Sequence, residues 1–343
     1  MIYNNVELYN VQDMIEDPER GGFLLSRLPA GVRSAVNSGA QYACLSGSGV
    51  ELRFRLVGEQ VTLVLARDAV PDAVSPAGIC EVYQGGFQGS YHLSPKVITT
   101  EPTRVTITRQ SLESLLPIQD KEQYPYDPEL IRVLLPYDWA NRLVDIEGDV
   151  APPLPGQVPK RRYLAYGSSI THGGSASVHS AAYASQLARK LGLDLINLGM
   201  AGSAQMDAAM AEYIAGRNDW DIATLEMGVN VTGWPLDRFR AATEAFVSRI
   251  ADAHPDQWIF CTDIFRNYND YKAESINDGF RDTVREVVQR LNRPKLIYLN
   301  GYDLLTTGSG LSSDGLHPSD SGFAEIAEQL HRRITAIAWQ AGA

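Results

Sequence analysis

Near the middle of the chain, Ala151-Pro-Pro-Leu-Pro-Gly-Gln-Val-Pro-Lys160 carries four prolines and a glycine. Proline locks its own φ and biases the preceding residue towards extended backbone, so neither a helix nor an interior strand runs through such a stretch. It reads as a stiff linker. It divides 343 residues into two parts whose apolar residues keep different periods. The expected organisation is a first domain over 1–150, a linker over 151–160 and a second domain over 161–343.

Before the linker the period is two. Leu52, Phe54 and Leu56 alternate with Glu51, Arg53 and Arg55, and Val61, Leu63 and Leu65 follow beyond Gly58. Val105 and Ile107 alternate with Arg104, Thr106 and Thr108, and Ile131, Val133 and Leu135 continue the pattern. Short alternating runs separated by Gly, Pro and Asp turns predict an antiparallel β-sandwich. Helical periodicity is weak in this half.

After the linker, short apolar runs alternate with helical patterns. The runs are Tyr163–Tyr166, Leu195–Leu198, Ile222–Met227, Trp258–Thr262 and Leu296–Leu299. Between and after them Phe239, Ala242, Phe246 and Ile250 keep helical spacing, as do Phe280, Val284, Val287 and Leu291, then Phe323, Ile326, Leu330 and Ile334. Five buried strands alternating with helices predict a parallel α/β sheet covered on both faces. Ligands of such sheets bind beyond the carboxyl ends of the strands, which is where chemistry is to be sought.

Composition narrows the partners. A hydrophobic fraction of 44% supplies two packed cores, and the formal net charge of −11 repels a phosphate backbone or an anionic membrane at long range. No nucleic-acid or membrane partner is expected. Cys44, Cys80 and Cys261 are scattered without a CxxC pair, so neither a disulfide framework nor a thiolate zinc site is indicated. Cys261, in an apolar run, reads as a buried thiol packed as a small hydrophobe. The first twenty residues lack a basic start followed by an apolar stretch, and no window has the apolar length to span a bilayer. The expectation is a soluble, cytoplasmic protein. Oligomeric state is not legible.

Four stretches fall at the predicted strand ends. The first strand runs into Tyr166-Gly-Ser168-Ser169-Ile-Thr-His172-Gly173, a small-residue turn that presents a serine hydroxyl at the mouth of the sheet. The second ends in Asn197-Leu-Gly199-Met-Ala-Gly202-Ser203, and the third in Glu226-Met-Gly228-Val-Asn230. Asp314-Gly-Leu-His317-Pro318 precedes the last helix. A carboxylate three residues ahead of a histidine in one loop can take the imidazole Nδ1–H and leave Nε2 free as a base.

These stretches, in this order, resemble the four conserved blocks of the SGNH (GDSL-like) hydrolase superfamily over roughly residues 162–335. The resemblance implies a three-layer α/β/α, flavodoxin-like domain behind the antiparallel, jelly-roll-like β-sandwich. It implies Ser169 as nucleophile with Asp314 and His317 as its activating pair. The oxyanion hole would be the Ser169 N–H, the Gly202 N–H and the Asn230 side-chain amide, with no cofactor and no metal. Two positions depart from the family: Ser168 stands where an Asp usually precedes the nucleophile, and Val231 where an Asp often follows the block-three Asn. Both bear on substrate rather than on the proton transfers.

Other residues carry bland readings beside sharper ones. Gly202 fits a donor and equally a turn needing positive φ. Asn230-Val-Thr232 matches a glycosylation acceptor, which reads as chance in a chain without a leader. His172 either lines the pocket or sits exposed on its turn. Asp263 and Arg266 follow the fourth strand, as polar substrate contacts or as a solvated loop. His92, His179, His254 and His331 show no metal-ligand spacing. The aromatics of Tyr83-Gln-Gly-Gly-Phe87-Gln-Gly-Ser-Tyr91 stack on sugars or belong to a glycine-rich hairpin. A sandwich ahead of an SGNH domain is similar to some carbohydrate acetyl esterases and to certain acyltransferases. The expected function is hydrolysis of a short-chain acyl ester, acetyl in the first instance, on a small molecule or carbohydrate. The alternatives are acyl transfer to an alcohol through the same acyl-enzyme, and a non-catalytic carbohydrate-binding protein.

Overall fold

The computed structural model describes residues 1–68 and 75–339. Among them, the N-terminal part folds into two antiparallel sheets, one of eight strands and one of five. In the larger sheet Val6–Tyr9, Glu51–Leu56, Leu130–Leu134 and Gly78–Gln84 lie side by side. In the smaller the order is Thr103–Thr108, Gln60–Asp68, Ala140–Glu147, Phe23–Ser26 and Asp13–Glu16. Leu52 and Phe54 from one sheet and Val61, Leu63, Val105 and Ile107 from the other share the core between them. Burying each such side chain contributes about 1.5–3 kcal/mol.

The opposite face of the larger sheet is not solvated, contrary to what alternation alone implies. Glu51 and Arg53 are 7% and 1% exposed, because the second domain covers them. Arg53 sets its guanidinium on Asp194 at 2.8 and 2.6 Å and on Glu51 at 2.8 Å. Tyr126 donates its hydroxyl to Asp194 at 2.7 Å, and Arg132 donates to Glu51. Burial opposes ionisation of Glu51, but Arg132 and Arg53 outweigh it and lower its pKa to about 2. The seam between the domains is therefore a paired, buried ion cluster.

The proline-rich segment lies against the sandwich. Val150–Ala151 pairs with Glu51–Leu56, Pro152 O accepts from Arg55, and Gln157 O accepts from the Asp127 N–H. Beyond it a five-stranded parallel sheet runs in the order Asp194–Gly199, Arg162–Gly167, Ile222–Glu226, Trp258–Thr262, Leu296–Leu299. Relative to chain order this is the 2-1-3-4-5 arrangement of flavodoxin-like folds. Leu164 and Tyr166 pack to one face with helices Ala208–Ala215, Leu236–Ala253 and Ile276–Leu291. Tyr163 and Ala165 pack to the other with helices Tyr183–Leu191 and Asp320–Ile334.

One feature of the N-terminal part escapes periodicity. It contains short helices, among them Ala30–Ala35 and Ser38–Ala43. Six residues complete fewer than two turns, too few to show a 3.6-residue repeat. Val36, Ala40, Ala43 and Cys44 bury themselves in the same core as Leu164 and Leu198 of the parallel sheet. This helical segment belongs by packing to the second domain. Cys44, Cys80 and Cys261 are all buried and free. In the aromatic hairpin Tyr83 is buried while Tyr91 is fully exposed.

Candidate active site

The first parallel strand ends at Gly167 and turns at once into a single helical turn, Ser169–His172. Ser168 is its N-cap, accepting the Ile170 N–H at 3.1 Å, the usual way to satisfy an orphan donor of a first turn. Ser169 is the first residue of the turn and partly exposed. Its Oγ lies 2.8 Å from His317 Nε2, across 148 residues of chain.

His317 Nδ1 lies 2.6 Å from Asp314 Oδ2. The other carboxylate oxygen, Oδ1, accepts the Leu316 N–H at 2.8 Å, the His317 N–H at 2.9 Å and the Ser312 hydroxyl at 2.8 Å. Partial burial opposes ionisation of Asp314, but the hydrogen bonds from His317, Leu316 and Ser312 outweigh it. They hold the carboxyl well below the usual carboxylate range. An ionised carboxylate at Nδ1 assigns the ring proton to that nitrogen, so Nε2 offers its lone pair to the serine hydroxyl.

The three side chains open on a cavity of about 410 Å³. Ala201, Gly202 and Ser203, after the second strand, line it too. Gly202 has φ +65°, a backbone region glycine enters without strain. Neither the Ser169 nor the Gly202 N–H meets a protein acceptor among the described residues, so both are available to a ligand. Asn230 does not line the cavity; its Oδ1 accepts the Ala204 N–H at 3.0 Å. With its oxygen so engaged, the amide has its Nδ2 donors on the other side.

Of the remaining candidates, one reaches the cavity and two do not. His172 lines the cavity but is buried rather than exposed. Its ring nitrogens lie 3.1 Å from Gly199 O and 2.9 Å from Tyr137 O. Burial, with Arg27 nearby, pushes its pKa down to about 3 against the pull of these two carbonyls, and the ring acts as a peg between the Ser169 turn and the sandwich. Asp263 and Arg266 do not line the cavity, and neither forms a solvated loop. Asp263 is fully buried and accepts from the Tyr298 hydroxyl and the Gly301 N–H. Arg266 donates to Leu305 O and stacks on Tyr302. Both brace the loops after the fourth and fifth strands against the chain that follows.

Two features had no role in the sequence reading. Glu226, the last residue of the third strand, is buried beneath the Ser169 turn and accepts the Ser168 N–H at 2.7 Å and the Ser168 and Thr171 hydroxyls. Burial raises its pKa, opposed by these bonds. A charged residue closing an apolar strand was the available signal. The second feature is the near wall of the cavity, formed by Gly39, Tyr42, Ala43 and Ser46 together with Tyr137 and Asp138. No motif marks these positions, since only the packing of the helical segment on the parallel sheet brings them there.

Residues 160–335 match the sequence profile of the GDSL-like Lipase/Acylhydrolase family. No curated protein was found to match the chain. Solved structures that it resembles include a salicylyl-acyltransferase, SsfX3, from a tetracycline biosynthetic pathway, with TM-score 0.79 and 18% identity over 97% of this chain and 95% of that one. A putative GDSL-like lipase from Bacteroides ovatus aligns with TM-score 0.69 and 18% identity over 97% of each chain. An acetyl xylan esterase from Butyrivibrio proteoclasticus aligns with TM-score 0.58 and 13% identity over 98% of this chain and 96% of that one. At these identities the likeness is one of fold, and it extends over both domains. The family profile spans just over half of the sequence, and the chain belongs to the GDSL-like lipase/acylhydrolase family.

Proposed function

We propose that this protein is a serine esterase that removes a short acyl group, acetyl in the first instance, from a polar alcohol such as a sugar. The reading rests on one observation: the hydrogen-bonded series Ser169–His317–Asp314, at 2.8 and 2.6 Å, opens on a cavity walled by small and polar side chains. Among the described residues two tyrosines are the largest that line it, and no Leu, Ile, Val, Phe or Met does. A long acyl chain would leave its apolar surface unburied there, forgoing about 0.8 kcal/mol per methylene. An acetyl group loses little.

The chemistry follows from the groups present. His317 Nε2 takes the Ser169 proton as the oxygen attacks the ester carbonyl. The Ser169 and Gly202 N–H groups stabilise the oxyanion, and one such donor is worth about 3–4 kcal/mol; Asn230 supports the Gly202 loop through the Ala204 N–H. Asp314 steadies the imidazolium, which returns its proton to the leaving alcohol. Water activated by His317 then clears the acyl-enzyme. The test is a series of p-nitrophenyl esters alongside acetylated xylo-oligosaccharides. Acetate turnover that falls steeply with chain length and vanishes in Ser169→Ala is expected. Equal turnover of octanoate, or activity surviving in Ser169→Ala, would overturn the reading. Preferential acyl transfer to an added alcohol over water would assign a transferase instead.

A further inference from the structure

The loop carrying Gly202 is held by the short helical segment of the N-terminal part, far from it in the chain. Asn37 precedes the short helix Ser38–Ala43 and uses every polar atom of its side chain. Its Oδ1 accepts the Ala40 N–H at 3.1 Å, while Nδ2 donates to Ser203 O at 3.0 Å and to Asp207 Oδ2 at 2.7 Å. Its backbone N–H donates to Asp207 Oδ1 at 3.0 Å. Asp207 is the N-cap residue of the helix Ala208–Ala215, yet makes no side-chain cap bond to it. Asp at that position ordinarily caps its own helix. Here both carboxylate oxygens turn across to Asn37 instead, and local preferences are set aside in this way where another demand prevails.

The rest of the loop is under matching constraint. Met206 adopts φ +57°, a strained conformation for a residue with a side chain, and its N–H donates to the Tyr166 hydroxyl at 3.0 Å. The Ala204 N–H is taken by Asn230. On the near side, a Cβ added to Gly39 would meet the Ser203 hydroxyl, so the short helix abuts the loop. Gly202 itself makes no such bond and stands exposed just ahead of these anchors.

We propose that Asn37 is a positioning residue for the esterase reaction: through Ser203 and Asp207 it fixes the 200–207 loop and so aims the Gly202 N–H at the developing oxyanion. This rests on the esterase reading above. Asparagine alone fits the role, since Asp lacks the donors, Ser is too short to span both partners, and Gln would displace the Ala40 cap.

The test measures kcat and KM for p-nitrophenyl acetate well below the melting temperature of each variant, with Ser169→Ala as the zero. Asn37→Ala is expected to lower kcat about 10- to 100-fold, part of what losing one oxyanion donor costs, with KM changed less than about threefold. Asn37→Asp sets two carboxylates face to face and should fall further. Adding Asp207→Asn to it (N37D/D207N) restores a donor–acceptor pair and should recover about tenfold of kcat. A folded Asn37→Ala protein with wild-type kcat would overturn the proposal, as would activity that merely tracks the folded fraction. Wild-type turnover insensitive to Ser169→Ala would instead sink the esterase reading itself.

Discussion

Replacing Asp314 by Asn is the most informative single change at this site, because the structure dictates which way the new amide must face. Oδ1 of Asp314 accepts two backbone N–H groups, from Leu316 and His317, at 2.8 and 2.9 Å. An Asn in this place must keep its oxygen there, which turns its Nδ2 donors towards His317 Nδ1. The imidazole then shifts its proton to Nε2 and presents a donor, not an acceptor, to Ser169. Flipping the amide to restore the productive tautomer forfeits two hydrogen bonds worth about 1 kcal/mol each and opposes donors to donors, so the productive state lies roughly 2–3 kcal/mol uphill. Loss of the charge-assisted bond to the imidazolium removes about 1.5–3 kcal/mol more from the transition state. Together these lower kcat by about a thousand- to ten-thousand-fold. Asp314→Ala leaves the tautomer free and should retain more activity than Asp314→Asn. The assay is the pre-steady-state burst of p-nitrophenolate from the acetate ester. An Asn variant keeping more than about a tenth of wild-type kcat, or outperforming the Ala variant, would refute the tautomer argument.

Three further outcomes follow from groups away from the triad. Arg53→Ala strands the buried Asp194 carboxylate with only Tyr126 and should cost about 3–5 kcal/mol. For a chain of 343 residues unfolding as one unit, that lowers the melting temperature by roughly 4–7 °C; a cost simply additive with that of Asp194→Ala would contradict the pairing. Glu226→Ala leaves the Ser168 N–H and two hydroxyls without their acceptor and should lose about 2–4 kcal/mol by urea denaturation, most of it spared in Glu226→Gln. An equally unstable Gln variant would show that the acceptor is not what matters. Asp263 is pushed by burial from an ordinary 3.8 up to about 6, against hydrogen bonds from Tyr298 and Gly301. The folded state holds this proton more tightly, so its contribution to stability is full below the unfolded value and is lost as pH rises through about 6. Relative to Asp263→Asn, the wild type should lose on the order of 3 kcal/mol between about pH 4 and pH 7; parallel pH profiles would contradict it.

The parallel sheet was legible because strands buried on both faces must be apolar throughout. All five runs, from Tyr163–Tyr166 to Leu296–Leu299, coincide with strands. The sandwich was legible for the complementary reason: Leu52 and Phe54 alternate because one face of their strand meets a core. The fate of the other face was not. Glu51, Arg53 and Arg132 look solvated in sequence and are buried in fact, since pairing depends on Asp194 and no local pattern announces a partner 141 residues away. The same limit hid the cavity's near wall. Six-residue helices carry too little periodicity to be read, and Asn37 is meaningful only once Ser203 and Asp207 lie beside it. Asp263 and Arg266 follow a strand end, where substrate contacts are sought, but the chain there turns inward and spends both on its own loops.

The proposed mechanism requires that Ser169 become covalently acylated. Rapid acid quenching during turnover of an acetyl ester, followed by peptide mass mapping, tests this directly. The prediction is one acetyl adduct on the peptide containing Ser169, accumulating in the wild type and absent from His317→Ala. An adduct on another residue, or turnover with no adduct at any time in the burst, would contradict it.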